Sequence, residues 1–128
     1  MNSLNKEIRM IPGSLLADVQ GTFSAHYPFL MIEFFENDGR RWMPKHAKID
    51  SATSLKSLVR EMQSIDISAD RTVAAVLQDL CNALGMIVRM RRKSGKVWNA
   101  ISLTDGWTLA RQDAAGQYIS SLMDGEDP

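Results

Sequence analysis

Five cations crowd into one short stretch, Arg89, Arg91, Arg92, Lys93 and Lys96, and an indole, Trp98, follows them. Guanidinium and ammonium groups neutralise phosphates and an aromatic ring stacks a base, so residues 89–96 carry the side-chain types of a nucleic-acid-binding hairpin. The balance of the whole chain argues against that use. Fifteen Lys and Arg cancel fifteen Asp and Glu, and without a net field the protein does not draw in a polyanion or an anionic membrane. The plainer account is that the basic hairpin complements an acidic one containing Glu33 and Glu36. Opposite charges facing each other across strands then contribute only ~0.2–1 kcal/mol per pair.

Other reactive residues are few. His26 and His46 are the only histidines and Cys81 is the only cysteine. Two imidazoles without matched partner ligands do not make a metal centre, and one thiol excludes an intrachain disulfide. Cys81 sits beside the apolar positions Val76, Leu77, Leu80 and Leu84. No neighbouring His or Lys lowers its pKa, so it reads as a buried structural thiol. The chain has no glycine-rich phosphate loop, no nucleophile elbow and no His-Glu-x-x-His helix. No catalytic residue, metal or cofactor is expected. No stretch approaches a membrane span and the N-terminus lacks an apolar leader, so a reducing, cytoplasmic setting is expected.

The elements that must position these residues occur twice. Phe29–Trp42 is echoed by Gly85–Trp98: Leu30 matches Met86, Ile32 matches Val88, Phe34 matches Met90, Gly39 matches Gly95 and Trp42 matches Trp98, each 56 residues on. Val19 and Phe23 match Val76 and Leu80 at 57, and Ser54-Leu55 matches Thr108-Leu109 at 54. Within the first copy, Ile8–Ile11 alternates as a strand before Pro12-Gly13. Leu15, Leu16, Val19 and Phe23 follow at helical spacing, and Tyr27-Pro28 stops that helix. Leu30–Glu36 and Arg40–Met43 flank Asn37-Asp38-Gly39 as a hairpin. Leu55, Leu58, Val59 and Met62 have the spacing of a helical return. The second copy has a short strand at Ile65 and Ile67, a helix from Val73 to Leu84 closed by Gly85, a hairpin from Met86 to Leu103, and a helical return from Asp105 that Gly116 interrupts.

Two strand–helix–strand–strand units imply an α+β protein. The expected architecture is two diverged β-α-β-β units around a pseudo-twofold axis, with a mixed, mainly antiparallel sheet and helices on one face. Within each unit a right-handed crossover would join a parallel pair. A single domain spans 1–123, made of repeat 1 (8–63) and repeat 2 (65–115), with 124–128 as a frayed tail.

Strand alternation then exposes a candidate interface. With Leu30, Ile32 and Phe34 facing the helices, Met31 and Phe35 point the other way, and hairpin pairing brings Trp42 beside them. In the second copy Arg91 is placed to lie over the Trp98 ring, covering that surface, whereas Met31, Phe35 and Trp42 need a partner. Either a second protein surface covers them or the tail residues Tyr118, Ile119, Leu122 and Met123 fold back over them.

The run Arg92-Lys-Ser-Gly-Lys-Val-Trp98, followed by Thr104-Asp-Gly-Trp-Thr-Leu109, resembles a motif of a family of small two-repeat bacterial proteins, Lys-Ser-Gly-x-x-Trp then Thr-Asp-x-Trp-Thr-Leu. The resemblance covers about the last third of the chain. It implies a hairpin and the turn after it, and no activity. The functional expectation is a non-catalytic protein–protein interaction or assembly module, self-associating or bound to a protein partner. The alternative is a nucleic-acid-binding accessory protein using residues 89–96, and a small enzyme with a site between the repeats is third.

Overall fold

The computed structural model describes residues 6–37 and 47–124. In chain order they form β1 (Glu7–Met10), α1 (Leu16–His26), β2 (Leu30–Phe35), β3 (Gln63–Asp66), α2 (Val73–Leu84), β4 (Ile87–Ser94), β5 (Val97–Ala100) and α3 (Leu109–Asp124). The Asp38-Gly39 turn, the return strand Arg40–Met43 with Trp42, and His46 lie outside the described residues.

The protein is α+β, but its strands pair differently from the expectation. In place of one mixed sheet with a parallel pair inside each unit there are two antiparallel sheets, β1–β3 and β2–β4–β5. Each strand flanking α1 finds its partner in the other half of the chain: Ile8 stands opposite Ile65, and Glu33 opposite Arg89. Helix α1 packs on both β1 and β2 and so holds them apart. Antiparallel pairing across the halves satisfies their main-chain groups without a crossover.

Local chemistry sets the helix ends. Asp18 accepts the Leu15 N–H at 2.8 Å at the start of α1, and Thr72 Oγ1 accepts the Ala75 N–H at 3.2 Å in α2. Gly85 ends α2 at φ 70°, a left-handed conformation that glycine adopts without strain. The connection after each hairpin is tied back to the helix start by a matching set of main-chain bonds. Leu16 N–H donates to the Thr53 carbonyl and Val73 N–H to that of Trp107; Ala17 donates to Ser51 and Ala74 to Asp105; Leu55 donates to Ser14 and Leu109 to Arg71.

One apolar cluster draws on both halves. Val19, Phe23, Val76 and Leu80 from α1 and α2 are buried against Ile32, Phe34, Val88 and Met90 from the sheet. Tyr27 joins it, its hydroxyl donating to the Ile67 carbonyl at 2.6 Å. All three helices lie on this side: α1 on β2, α2 on β4, and α3 on β4 and the start of β2.

The two helical returns diverge. Leu55–Met62 forms only a turn, closed by Leu58 and Val59 N–H bonds to the Leu55 carbonyl, because β3 starts at Gln63 and pairs at once with Met10. Leu55 and Val59 still reach the core, while Met62 is exposed. The second return becomes α3, which passes unbroken through Gly116 to Asp124. Gly116 is an approach point rather than an interruption: a Cβ there would lie 2.8 Å from Phe29 Cβ and 3.1 Å from the Lys93 carbonyl oxygen. Around it the buried face of α3 is polar or small. Gln112 donates to the Thr104 carbonyl (2.7 Å) and accepts from Arg92 (3.1 Å), Asp113 accepts the Phe29 N–H (2.8 Å), and Ser120 accepts the Gly95 N–H (2.9 Å).

These environments separate two glycines that helix propensity treats alike. Gly21→Ala in α1 adds a methyl group that meets nothing within 4 Å and should stabilise by roughly 0.4–1 kcal/mol. Gly116→Ala should instead destabilise by about 1–3 kcal/mol, since overpacking against Phe29 outweighs the propensity gain. Phe23→Ala in the core should cost about 3–5 kcal/mol. Urea denaturation of the three variants checks the order; a Gly116→Ala protein as stable as Gly21→Ala refutes the close-approach reading.

Candidate functional site: the open face of the sheet

Burial alternates along β2. Leu30, Ile32 and Phe34 point into the core, so Met31, Glu33 and Phe35 stand on the face without helices. Register then fixes their company: Arg91 is opposite Met31, Arg89 opposite Glu33 and Ile87 opposite Phe35, while β5 places Ala100 beside Arg91 and Trp98 beside Lys93. Arg89, Arg91, Lys93 and Trp98 thus share one open face with Met31, Glu33 and Phe35.

The centre of that face is a carboxylate. Glu33 is only 6% exposed, although it is on the side away from the helices. Its Oε1 accepts from Arg91 Nε at 2.5 Å and its Oε2 pairs with Lys48 Nζ at 2.8 Å. Lys48 is held there by a short antiparallel segment on the outer edge of β2, where Ile49 N–H donates to the Phe34 carbonyl and Glu36 N–H to that of Ala47. Burial alone would push the Glu33 carboxyl up. Hydrogen bonds from Lys48 and Arg91, together with their positive charges, outweigh it and hold the group below the usual glutamate range.

The aromatic contacts differ from the expected ones. Arg91 does not lie over Trp98: its guanidinium is taken by Glu33 and by the Trp98 carbonyl at 3.2 Å. The cation near the indole is Lys93, 6.0 Å from its centroid, and Arg89 lies 4.9 Å over the Phe35 ring. Met31 and Phe35 are half-buried, and Trp42, the third member of the expected apolar patch, lies outside the described residues. The tail does not cover Met31 and Phe35. Helix α3 packs on the core side of the sheet, and Tyr118 and Leu122 remain exposed.

Two of the five clustered cations leave this face. Arg92 stands opposite Leu30 on the core side, where its Nη1 holds Gln112 of α3 and its guanidinium lies 6.0 Å from the Trp107 ring. Lys96 is exposed in the turn between β4 and β5. Cys81 is half-buried and lines a cleft of about 390 Å³ beside α2 instead of being sealed in the core. His26 is exposed, and among the described residues no group of three or more His, Cys, Asp and Glu could hold a metal ion. No helix among them is long and apolar enough to cross a membrane.

Sequence reasoning missed the central role of Glu33 and the part of Lys48. A visible signal existed, since Glu33 is the one charge within Leu30-Met-Ile-Glu-Phe-Phe35, and a charge in such a run requires partners. Lys48 could not be found from spacing, because a separate main-chain pairing delivers it. No family model, no curated protein and no solved structure matches the chain.

The Glu33 cluster has a pH signature. Its folded-state pKa is lowered, so its contribution is fully present above the unfolded glutamate value and is lost as pH falls through the folded one. Asp113 works in the opposite sense: burial raises its pKa despite the Phe29 N–H bond and Lys6, so stability declines as pH climbs above the ordinary aspartate value. Glu33→Gln isolates the first effect. It should lower stability at neutral pH by about 1–3 kcal/mol, with the gap from wild type closing on acidification below about pH 4.5. Equal slopes of stability against pH in the two proteins would refute the assignment.

Proposed function

We propose that the protein is a non-catalytic protein–protein interaction module that self-associates, built from two diverged copies of one β-α-β-β unit and working in a cytoplasmic setting. The two-copy reading is supported by bonds that recur at the repeat spacing: Leu16 to Thr53 with Val73 to Trp107, Ala17 to Ser51 with Ala74 to Asp105, and Leu55 to Ser14 with Leu109 to Arg71. Pairing between equivalent positions, Ile8 with Ile65 and Glu33 with Arg89, agrees with a local twofold axis through each antiparallel pair.

The observation that carries the interaction reading is the inverted character of α3. Leu109 is buried in the core at its first turn, but beyond it the buried stripe is Gln112, Gly116 and Ser120, while Tyr118, Leu122 and Met123 are 65%, 52% and 48% exposed. Met123 lies against Gly95 in the β4–β5 turn, and Val97, itself 55% exposed, begins β5 just beyond. An apolar ridge beside an edge strand is the kind of surface that a partner covers, and monomers seldom leave one unused. Met31 and Phe35 supply a second, smaller apolar area across the sheet.

A second reading, nucleic-acid binding, is favoured by the placement of Arg89, Arg91, Lys93 and Trp98 on one face. Glu33 neutralises part of that charge, and Arg92 is spent inside the fold, so the first reading stands ahead of it.

Light scattering at high protein concentration should give a mass of at least two chains, and Tyr118→Ser with Leu122→Ser should reduce it to one chain with unchanged circular dichroism. A monomeric wild type overturns self-association. Binding to single-stranded DNA or RNA should be absent at physiological salt. Retention that falls linearly with the logarithm of salt and disappears in Arg89→Glu with Lys93→Glu would install the second reading instead.

A further inference from the structure

The two outer edges of the β2–β4 pair are closed by different chemistry. Successive residues of an antiparallel strand turn their main-chain N–H and C=O to opposite sides. Lys93 N–H donates to the Phe29 carbonyl across the pair. In the same register Ile87, Arg89 and Arg91 face β2, whereas Val88 and Met90 face outward, as Leu30, Ile32 and Phe34 do on β2.

On the β2 edge all three outward carbonyls are occupied. Ser24 Oγ donates to Leu30 at 3.0 Å, Gln20 Nε2 to Ile32 at 2.9 Å, and Ile49 N–H to Phe34 at 2.8 Å. On the β4 edge only the last bond has a counterpart, Ile101 N–H to the Met90 carbonyl at 3.0 Å. The residues 57 positions after Gln20 and Ser24 are Leu77 and Cys81. Leu77 has no donor, and the neighbouring Gln78 gives its amide to Asn82 at 2.9 Å. Strand β5 ends at Ala100, before it reaches Val88. Among the described residues nothing donates to the Val88 carbonyl, and a cleft of about 390 Å³ lies at this gap, lined by Leu77, Gln78 and Cys81 of α2, Val88 and Arg89 of β4, and Asp105, whose carbonyl accepts the Ala74 N–H at the start of α2.

We infer that the Val88 edge of β4 is a docking site for an extended peptide segment of a partner protein, which adds as a short strand between β4 and α2 and places one acidic side chain beside Arg89. Strand addition satisfies the outward carbonyl of Val88, whose counterpart Ile32 is served by the Gln20 side chain in the other half of the molecule. Alternation along the added strand directs one set of its side chains to the apolar floor of Leu77 and Cys81 and the other set to the open face, where Arg89 is exposed. Asp105 in the cleft lining disfavours further acidic residues, so the fitting sequence is neutral and β-branched around a single carboxylate. The inference rests on the protein-interaction reading but not on self-association. Light scattering tests the latter and peptide binding tests this edge, so either can fail alone.

The probe is the blocked pentapeptide acetyl-Thr-Val-Glu-Val-Thr-amide, titrated calorimetrically into the full chain. Saturable binding of one peptide per chain is expected, with slower hydrogen exchange at the Val88 amide. Replacing the central Glu by Lys in the peptide should weaken binding about tenfold or more. Leu77→Gln copies the Gln20 closure into the second half and should abolish binding while the thermal transition is retained. Gln20→Leu opens the Ile32 carbonyl next to Glu33 instead of an arginine and should add no second equivalent of this acidic peptide. Should Leu77→Gln fail to fold, Arg89→Glu decides the matter: it should reverse the preference between the Glu and Lys peptides, and an unchanged preference overturns the proposal. No saturable binding up to about 1 mM, or binding untouched by closure of the β4 edge, overturns the proposal.

Discussion

Pairing β2 against β4 with Glu33 opposite Arg89 sets the side of the sheet on which each reactive side chain stands. Strand side chains alternate with a strict period of two, so a slip of one residue would bury Arg89 and Arg91 in the core and expose Val88 and Met90. The apolar residues of α1 and α2 forbid that slip. Once the register is fixed, Glu33 must lie on the open face among like-placed cations. It is then buried by the two that it binds, Arg91 from the next strand and Lys48 from the opposite edge. A carboxylate removed from water is tolerated only with such partners, and here the partners connect three separate segments of chain.

The same constraint explains why the basic cluster divides. Neighbours in sequence go to opposite faces, so Arg91 meets Glu33 while Arg92 turns inward to Gln112. Arg92 in turn fixes the character of α3. A helix lying over a guanidinium and a strand end has polar groups to satisfy, and it presents Gln112, Asp113 and Ser120 to them, with Gly116 at the point of closest approach. Beyond Leu109, which is in the core, its large apolar side chains Tyr118, Leu122 and Met123 are left for the outside. The first half of the molecule has no equivalent helix, because β3 begins as soon as one turn has formed after Leu55.

Divergence between the halves is clearest in polar detail. The main-chain bonds at the helix starts are the same in both, since they depend on backbone path alone. The side chains that close the strand edges are not: Ser24 and Gln20 serve β2, and Cys81 and Leu77 occupy the corresponding places beside β4. The substitutions leave helix and strand intact and change only what the edge offers to another molecule.

By itself the sequence determined the types of the described elements other than the first helical return, the similar residues that recur along the chain, the shared core of Val19, Phe23, Val76 and Leu80 with the strands, the left-handed end of α2 at Gly85, and the absence of recognisable catalytic motifs. All of these depend on short-range spacing and residue type, which are read directly from the order of residues. Tertiary structure alone decided that the strands pair across the halves in two antiparallel sheets, that the second return is a long helix while the first is a turn, that Lys93 rather than Arg91 approaches Trp98, and that Arg92 belongs to the interior. Each depends on which distant segment supplies the nearest main-chain or charged partner. Several partners of similar strength were possible for a strand edge or a guanidinium, and only the packing of the whole chain selects among them.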